Sequence, residues 1–178
     1  MRYTAIVLAS LLVLMSQAQH CATDTAWAAM QPLLGKWSGA SEGEPGKGTV
    51  QRTVAPALDG AFVRINDQGE FPPQEKNPKG ERHADEGFIA YDRAARTFRF
   101  KQFSQGGILS EFKLDSLSAD GRTMIFTTER LENFMKGWRS RITWQLQADG
   151  TWIEIFDVGP PNKPWMNYMR ITLTQTKD

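Results

Sequence analysis

The chain has 178 residues, 40% of them hydrophobic and 23% charged, with 21 basic against 20 acidic side chains. That length holds one domain with a sizeable core, and the balance is globular rather than disordered. With a formal net charge of +1 and Lys and Arg scattered rather than striped, nothing in the composition points to a nucleic-acid partner.

Arg2, the apolar run 5–15 (AIVLASLLVLM) and the small residues of Ser16-Gln17-Ala18 form the pattern of a secretory signal peptide, with cleavage expected after Ala18. The run is too short for an integral membrane span, which needs about 20 apolar residues. Ala26-Trp27-Ala28 is a second small-residue site farther from the run. Export to the periplasm or the extracellular space follows as the expected location. Loss of Arg2 with the leader leaves 20 basic and 20 acidic side chains, a neutral mature chain. Cys21 is the only cysteine. A lipid anchor there lacks the leucine-type residue such signals carry ahead of the cysteine, and the alternative is a thiol in a terminal tail. No internal disulfide is possible. The organisation expected is a leader over 1–18, a tail over 19–29 and one domain over 30–177.

Residues 25–34 (TAWAAMQPLL) are rich in helix formers and interrupted by Pro32, which predicts a short helix of one or two turns on an end of the domain. From Gly35 onward, short β-branched and aromatic runs recur between turn residues. Strands are predicted over 35–43, 48–55, 61–67, 87–91, 97–104, 108–115, 123–129, 138–147, 152–158 and 165–174. Asp59-Gly60, Asp120-Gly121 and Asp149-Gly150 mark hairpins, because Gly accepts a positive φ without steric cost. Ten strands joined by short turns make an antiparallel up-and-down meander, which closes into a barrel because closure removes the exposed edges. Alternation supports this: Trp138, Ser140, Ile142, Trp144 and Leu146 share a face, as do Phe98 and Phe100, and Ile108, Ser110, Phe112 and Leu114. The segment 69–86 (GEFPPQEKNPKGERHADE) reads as one long irregular connection, a candidate lid at a barrel mouth.

The start of the first strand, Gly35-Lys36-Trp37 followed by Ser38, Gly39, Ala40 and Ser41, resembles the Gly-x-Trp opening of the calycin barrels, which include lipocalins and fatty-acid-binding proteins. In that group an arginine of the last strand covers the tryptophan; the resemblance implies Arg170 over Trp37, a contact worth about 0.5–2 kcal/mol. The segments LLGKWSGASEG, LDGAFVRI, PPQEKNPKGERHADEGFIAYDRAARTFRFKQFS, TTERLEN and GWRSR together resemble the DUF1579-like exported bacterial proteins of unknown function, related to the nitrobindin-like heme-binding β-barrels. The likeness covers about residues 30–177. It implies a search for a late-strand histidine that would ligate heme iron. The only histidines are His20 and His83, neither in the last strands, which offer Tyr168, Met166 and Met169 instead. No cofactor is therefore assigned, and heme stays an alternative.

His83, Asp85 and Glu86 bring one imidazole and two carboxylates together in sequence, but with no second histidine the other reading is a solvated polar loop, and no metal site is assigned. No Gly-x-Ser-x-Gly elbow is present, and no catalytic residue is assigned. Glu154 shares a strand face with Trp152 and Phe156 and so points inward, as a base with a raised pKa or as one half of an ion pair with Arg139, Arg141, Arg64 or Arg170. The function expected is binding of a small apolar or amphipathic molecule inside the barrel, lined by Phe98, Phe100, Gln102, Phe112, Phe126, Trp144, Glu154, Phe156 and Tyr168. The alternatives are a heme protein, an enzyme built on Glu154, or a fully packed barrel that binds a partner through exposed Trp138 or Trp165.

Overall fold

A computed structural model describes residues 27–176. The signal-peptide segment, His20 and Cys21 lie outside the described residues. Ten strands follow one another: β1 (Gly35–Gly43), β2 (Gly46–Ala57), β3 (Phe62–Phe71), β4 (Glu81–Asp92), β5 (Thr97–Ser104), β6 (Leu109–Leu117), β7 (Thr123–Glu132), β8 (Arg139–Leu146), β9 (Trp152–Gly159) and β10 (Met166–Gln175). Each pairs antiparallel with the next, and β1 pairs with β10 to close the barrel. No helix among the described residues is long and apolar enough to cross a membrane.

Of the short helix predicted over 25–34, residues 25 and 26 lie outside the described residues; Trp27 is helical, 28–30 form a turn and Gln31–Leu33 a three-residue 3-10 turn. Its backbone bonds are three residues apart, Met30 N to the Trp27 carbonyl and Leu33 N to the Met30 carbonyl. Pro32 keeps the α conformation from running through 31–33, since it has no N–H to donate and disfavours that conformation at the residue before it.

The predicted strands 35–43 and 97–104 coincide with β1 and β5, and the others differ by a few residues at their ends. The large difference is at 69–86. There β3 runs on to Phe71 and β4 starts at Glu81, paired through Asp67↔Asp85, Gly69↔His83 and Phe71↔Glu81. Only 72–80 is left as a connection, and it is tied down. Gln74 and Asn77 exchange backbone bonds of 3.0 and 2.9 Å, and the Gln74 side chain accepts from Lys47 N at 2.8 Å and donates to its carbonyl at 2.9 Å. The strand signal is hidden in sequence because the inward residues His83 and Asp85 are polar and the one apolar side chain near them, Ala84, is on the outward face, so no inward apolar period of two survives.

The two barrel ends differ in their turns. The Asp-Gly hairpins all close strand pairs at one end, β2–β3, β6–β7 and β8–β9. Gly121 and Gly150 take φ of 70° and 85°, the left-handed conformation that these turns require. Asp120 and Asp149 complete them by accepting the backbone N–H of Arg122 and Thr151, two residues on. The connections 72–80, 105–108, 133–138 and 160–165 all lie at the other end. Closure at β1–β10 depends on Gly39, where a Cβ would sit 1.8 Å from the Thr172 carbonyl oxygen.

The Asp-Gly half of the interior is filled. Trp144 stands edge-on to Trp152 and Trp152 to Trp37, each with ring centroids 5.3 Å apart. Phe126 lies 4.9 Å from Trp144, and Phe100 packs on both Phe112 (5.6 Å) and Trp144 (5.7 Å). Aliphatic Ile89, Met124 and Leu173 close the remaining gaps and are almost wholly buried. Edge-to-face aromatic pairs contribute about 0.5–1.5 kcal/mol each beyond their area, which adds to what the burial of these rings contributes.

Candidate functional site

The other half of the interior is hollow. A cavity of about 320 Å³ opens at the end carrying the longer connections. Phe71, Ile108, Phe134, Phe156 and Ile171 give it apolar walls, and Asp67, His83, Asp85 and Glu154 enter it from β3, β4 and β9. Phe134 and Tyr168 are partly exposed at its mouth.

Between plug and cavity lies Arg52, only 3% exposed. Val50, Arg52 and Val54 face inward together from β2, so strand parity carries the guanidinium into the barrel. Its Nε and Nη2 donate to Asp67 Oδ1 and Oδ2 at 2.7 and 2.6 Å, a bidentate pair. Its Nη1 lies 2.7 Å from Glu154 Oε2, which also accepts the Trp144 Nε1–H at 2.7 Å. The guanidinium carbon stands 4.6 Å from the centre of the Trp152 ring. Burial opposes the charge on Arg52, but Asp67 and Glu154 outweigh it and hold the group firmly cationic. For Asp67, burial pushes the carboxyl above its ordinary value, Glu154 and Asp85 add to that, and Arg52 pulls it back only in part.

Farther up β4, His83 Nε2 lies 3.1 Å from Asp85 Oδ2. That hydrogen bond is the main cause of a raised imidazole pKa, against burial and with the charges of Asp85, Glu81 and Asp67. The Tyr168 hydroxyl is also pushed up, by burial first and then by Glu81 and Glu44. Glu86 leaves this group. It sits on the opposite strand face from Asp85, bound to Arg64 and, at 2.9 Å, to Asn66 Nδ2. His83, Asp85 and Glu86 therefore do not converge as one ligand set, and among the described residues no three such groups are placed to hold a metal ion.

Of the nine residues nominated from sequence, Gln102, Glu154, Phe156 and Tyr168 line the cavity. Phe98, Phe100, Phe112, Phe126 and Trp144 do not; they are at most 3% exposed and belong to the plug. Alternation separates inward from outward side chains, but the height along the barrel that separates plug from cavity has no counterpart in it. Gly35 opens β1 and Trp37 is buried at the filled end. Arg170 does not cover it. Trp37 pairs with Gln175 while Arg170 pairs with Glu42, five positions away and, because faces alternate, on the outside. Inside the barrel a cation does stand over an indole, but it is Arg52 over Trp152. Arg52 also takes the place of the four arginines considered as partners of Glu154.

Trp165, considered as an exposed docking residue, is covered by Arg139 and Arg141, whose guanidinium carbons lie 4.5 and 4.9 Å from its ring centre. Trp138 contacts Phe134 edge-on at 6.0 Å. Arg52 and Asp67 are site residues that the sequence reading does not nominate, and Asp85, weighed there only as a metal ligand beside His83 and Glu86, lines the cavity. Arg52 and Asp67 carry a signal in sequence: in Val50-x-Arg52-x-Val54 and Val63-x-Ile65-x-Asp67 a charge occupies the apolar parity of a strand.

No protein-family model matches the chain, and no curated protein matches it. Among solved structures, the crystal structure of Rv2717c from M. tuberculosis is similar, with a TM-score of 0.58 over 85% of this chain and 98% of that one. The identity is 16%, so the likeness shows a shared barrel fold. The resemblance to DUF1579-like proteins is not carried by any of these comparisons.

Proposed function

We propose that this barrel binds a small amphipathic molecule in its hollow half, its apolar part against Phe71, Phe156 and Ile171 and its polar end toward the Arg52–Asp67–Glu154 floor. The observation that carries this reading is the cavity itself, about 320 Å³ with apolar walls and a buried charged base. Ligand pockets run from roughly 300 to 1,000 Å³ and combine those two features. A barrel built only for stability gains nothing from leaving half its interior open, because every unfilled contact forfeits dispersion energy. The apolar run over 5–15 and the small residues before position 19 support export, which places the binding in the periplasm or outside the cell.

Heme does not suit the residues present. The late strands β8, β9 and β10 carry no histidine, and His83 on β4 is engaged by Asp85. Asp67, Asp85 and Glu154 would face a group that bears carboxylates of its own, with Arg52 already bound to two of them. A catalytic role for Glu154 has little to rest on, since the same oxygen is held by Arg52 and Trp144.

Filling the cavity tests the reading. The uncharged fluorescent probe N-phenyl-1-naphthylamine is expected to brighten on mixing with the protein. Phe156→Trp adds ring volume at the cavity wall and is expected to weaken that binding more than about tenfold, with the melting temperature within a few degrees of the parent. No brightening with the parent protein, or equal brightening with the variant, contradicts the proposal.

A further inference from the structure

We propose that the cavity is selective for organic cations, and that its ligand is an amphiphilic amine whose ammonium is held by the Asp85 carboxylate with Ser140 on the opposite wall. This rests on the reading of the cavity as a ligand site and adds the chemical class of the ligand.

The argument starts from the charges that reach the cavity. Asp67, Asp85 and Glu154 enter it, and Arg52 lies beneath. Arg52 is bidentate with Asp67, and its Nη1 is ion-paired at 2.7 Å with Glu154 Oε2 although it makes no hydrogen bond of regular geometry among the described residues. Asp85 receives nothing from it. One Asp85 oxygen meets His83, whose side chain is 45% exposed, and Oδ1 is buried without a hydrogen-bond partner among the described residues. Even with the imidazole protonated, three carboxylates face two cations, and Glu81 adds a fourth carboxylate at the rim. Buried charge of one sign is costly unless something neutralises it.

A second observation lies across the barrel. Ser140 of β8 lines the same cavity, is 3% exposed, and its Oγ is buried without a hydrogen-bond partner among the described residues. An ammonium has three donors and no acceptor, which matches a carboxylate oxygen and a hydroxyl lone pair on facing walls. A ligand carboxylate would find acceptors and like charge in the same places. The charges on the surrounding loops, Lys76, Lys79, Lys136 and Lys163 with Glu44 and Glu75, are solvent-exposed and screened by salt. They do not set the field inside.

Three eight-carbon probes differing only in the head group decide the matter: octylammonium, octanol and octanoate, titrated calorimetrically into the full protein at pH 7 and low salt. Octylammonium is expected to bind about tenfold tighter than octanol, and octanoate more weakly than either. Asp85→Asn is expected to abolish the preference for octylammonium over octanol, the ratio of the two affinities falling about tenfold. Octanoate binding as tightly as octylammonium overturns the charge selectivity while leaving the cavity reading intact, and an unchanged preference in the variant overturns Asp85 as the group that holds the ammonium. Absence of binding by all three overturns the cavity reading as well. Should Asp85→Asn fail to fold, the ranking of the three probes on the parent protein decides alone.

Discussion

Arg52→Leu is expected to lower the unfolding free energy by about 3–5 kcal/mol, the usual cost of removing one partner from a buried ion-pair network. The leucine keeps much of the apolar volume, so the loss reports charge rather than a void. What remains is Asp67 and Glu154, both reaching a space that water enters only from one end, with no cation between them. The stacking of the guanidinium on Trp152 is lost too. Arg52→Lys is expected to recover only part of the deficit, because an ammonium does not reproduce the fork that meets both Asp67 oxygens and a third carboxylate oxygen together. The deficit has a pH signature. Asp67 already has a folded-state pKa above its ordinary value, chiefly through burial, with Arg52 as the opposing influence. Without Arg52 it rises further. A carboxyl whose folded value exceeds its unfolded value binds its proton preferentially in the folded state, so its destabilising effect is complete above the folded value and fades as the pH falls toward the unfolded one. Urea unfolding of Arg52→Leu is therefore expected to show a smaller deficit near pH 4 than near pH 7, around the ordinary carboxylate range. A deficit under about 1 kcal/mol, or one that grows on acidification, contradicts the role assigned to Arg52.

Phe112→Ala is expected to cost about 3–5 kcal/mol while leaving octanol affinity unchanged. Phe112 is 1% exposed and stacks on Phe100, which in turn packs on Trp144 and Phe126. Its loss opens a void inside the plug that the surrounding rings, held edge to face, cannot collapse to fill. Had Phe112 lined the cavity, the same truncation would have enlarged a space already open, with a smaller stability cost and a change in affinity. Thermal or urea unfolding set beside an octanol titration separates the two. A cost below about 1.5 kcal/mol together with altered affinity would place Phe112 on the ligand.

The sequence shows the barrel well because most strands bury one face only. In β5, Phe98 and Phe100 alternate with Arg99 and Lys101, and the predicted span is the observed one. It shows the site poorly for two reasons. First, residues that line a polar cavity lose the apolar period that announces a strand, which is why Glu81 to Glu86 read as loop although they continue the β3–β4 ladder. Second, whether an inward side chain falls in the plug or the cavity depends on its height and on what the facing strands bring to that level. Phe112 and Phe156 are both inward aromatics of similar strands, and only the assembled circumference separates them. Arg52 was legible in principle, as a cation at the inward parity between two valines.

The central claim is that the barrel is filled at one end and holds a ligand at the other. The most direct measurement is a methyl-resolved NMR titration of the full protein with octanol. Ile142, Ile171 and Val158 line the cavity, whereas Leu173 and Met124 are buried in the plug. Saturable shifts of the first three methyl groups, with Leu173 and Met124 nearly still, are the predicted result. Shifts confined to exposed Leu58 and Leu117, or no saturable shift at any methyl group, would contradict an internal binding site.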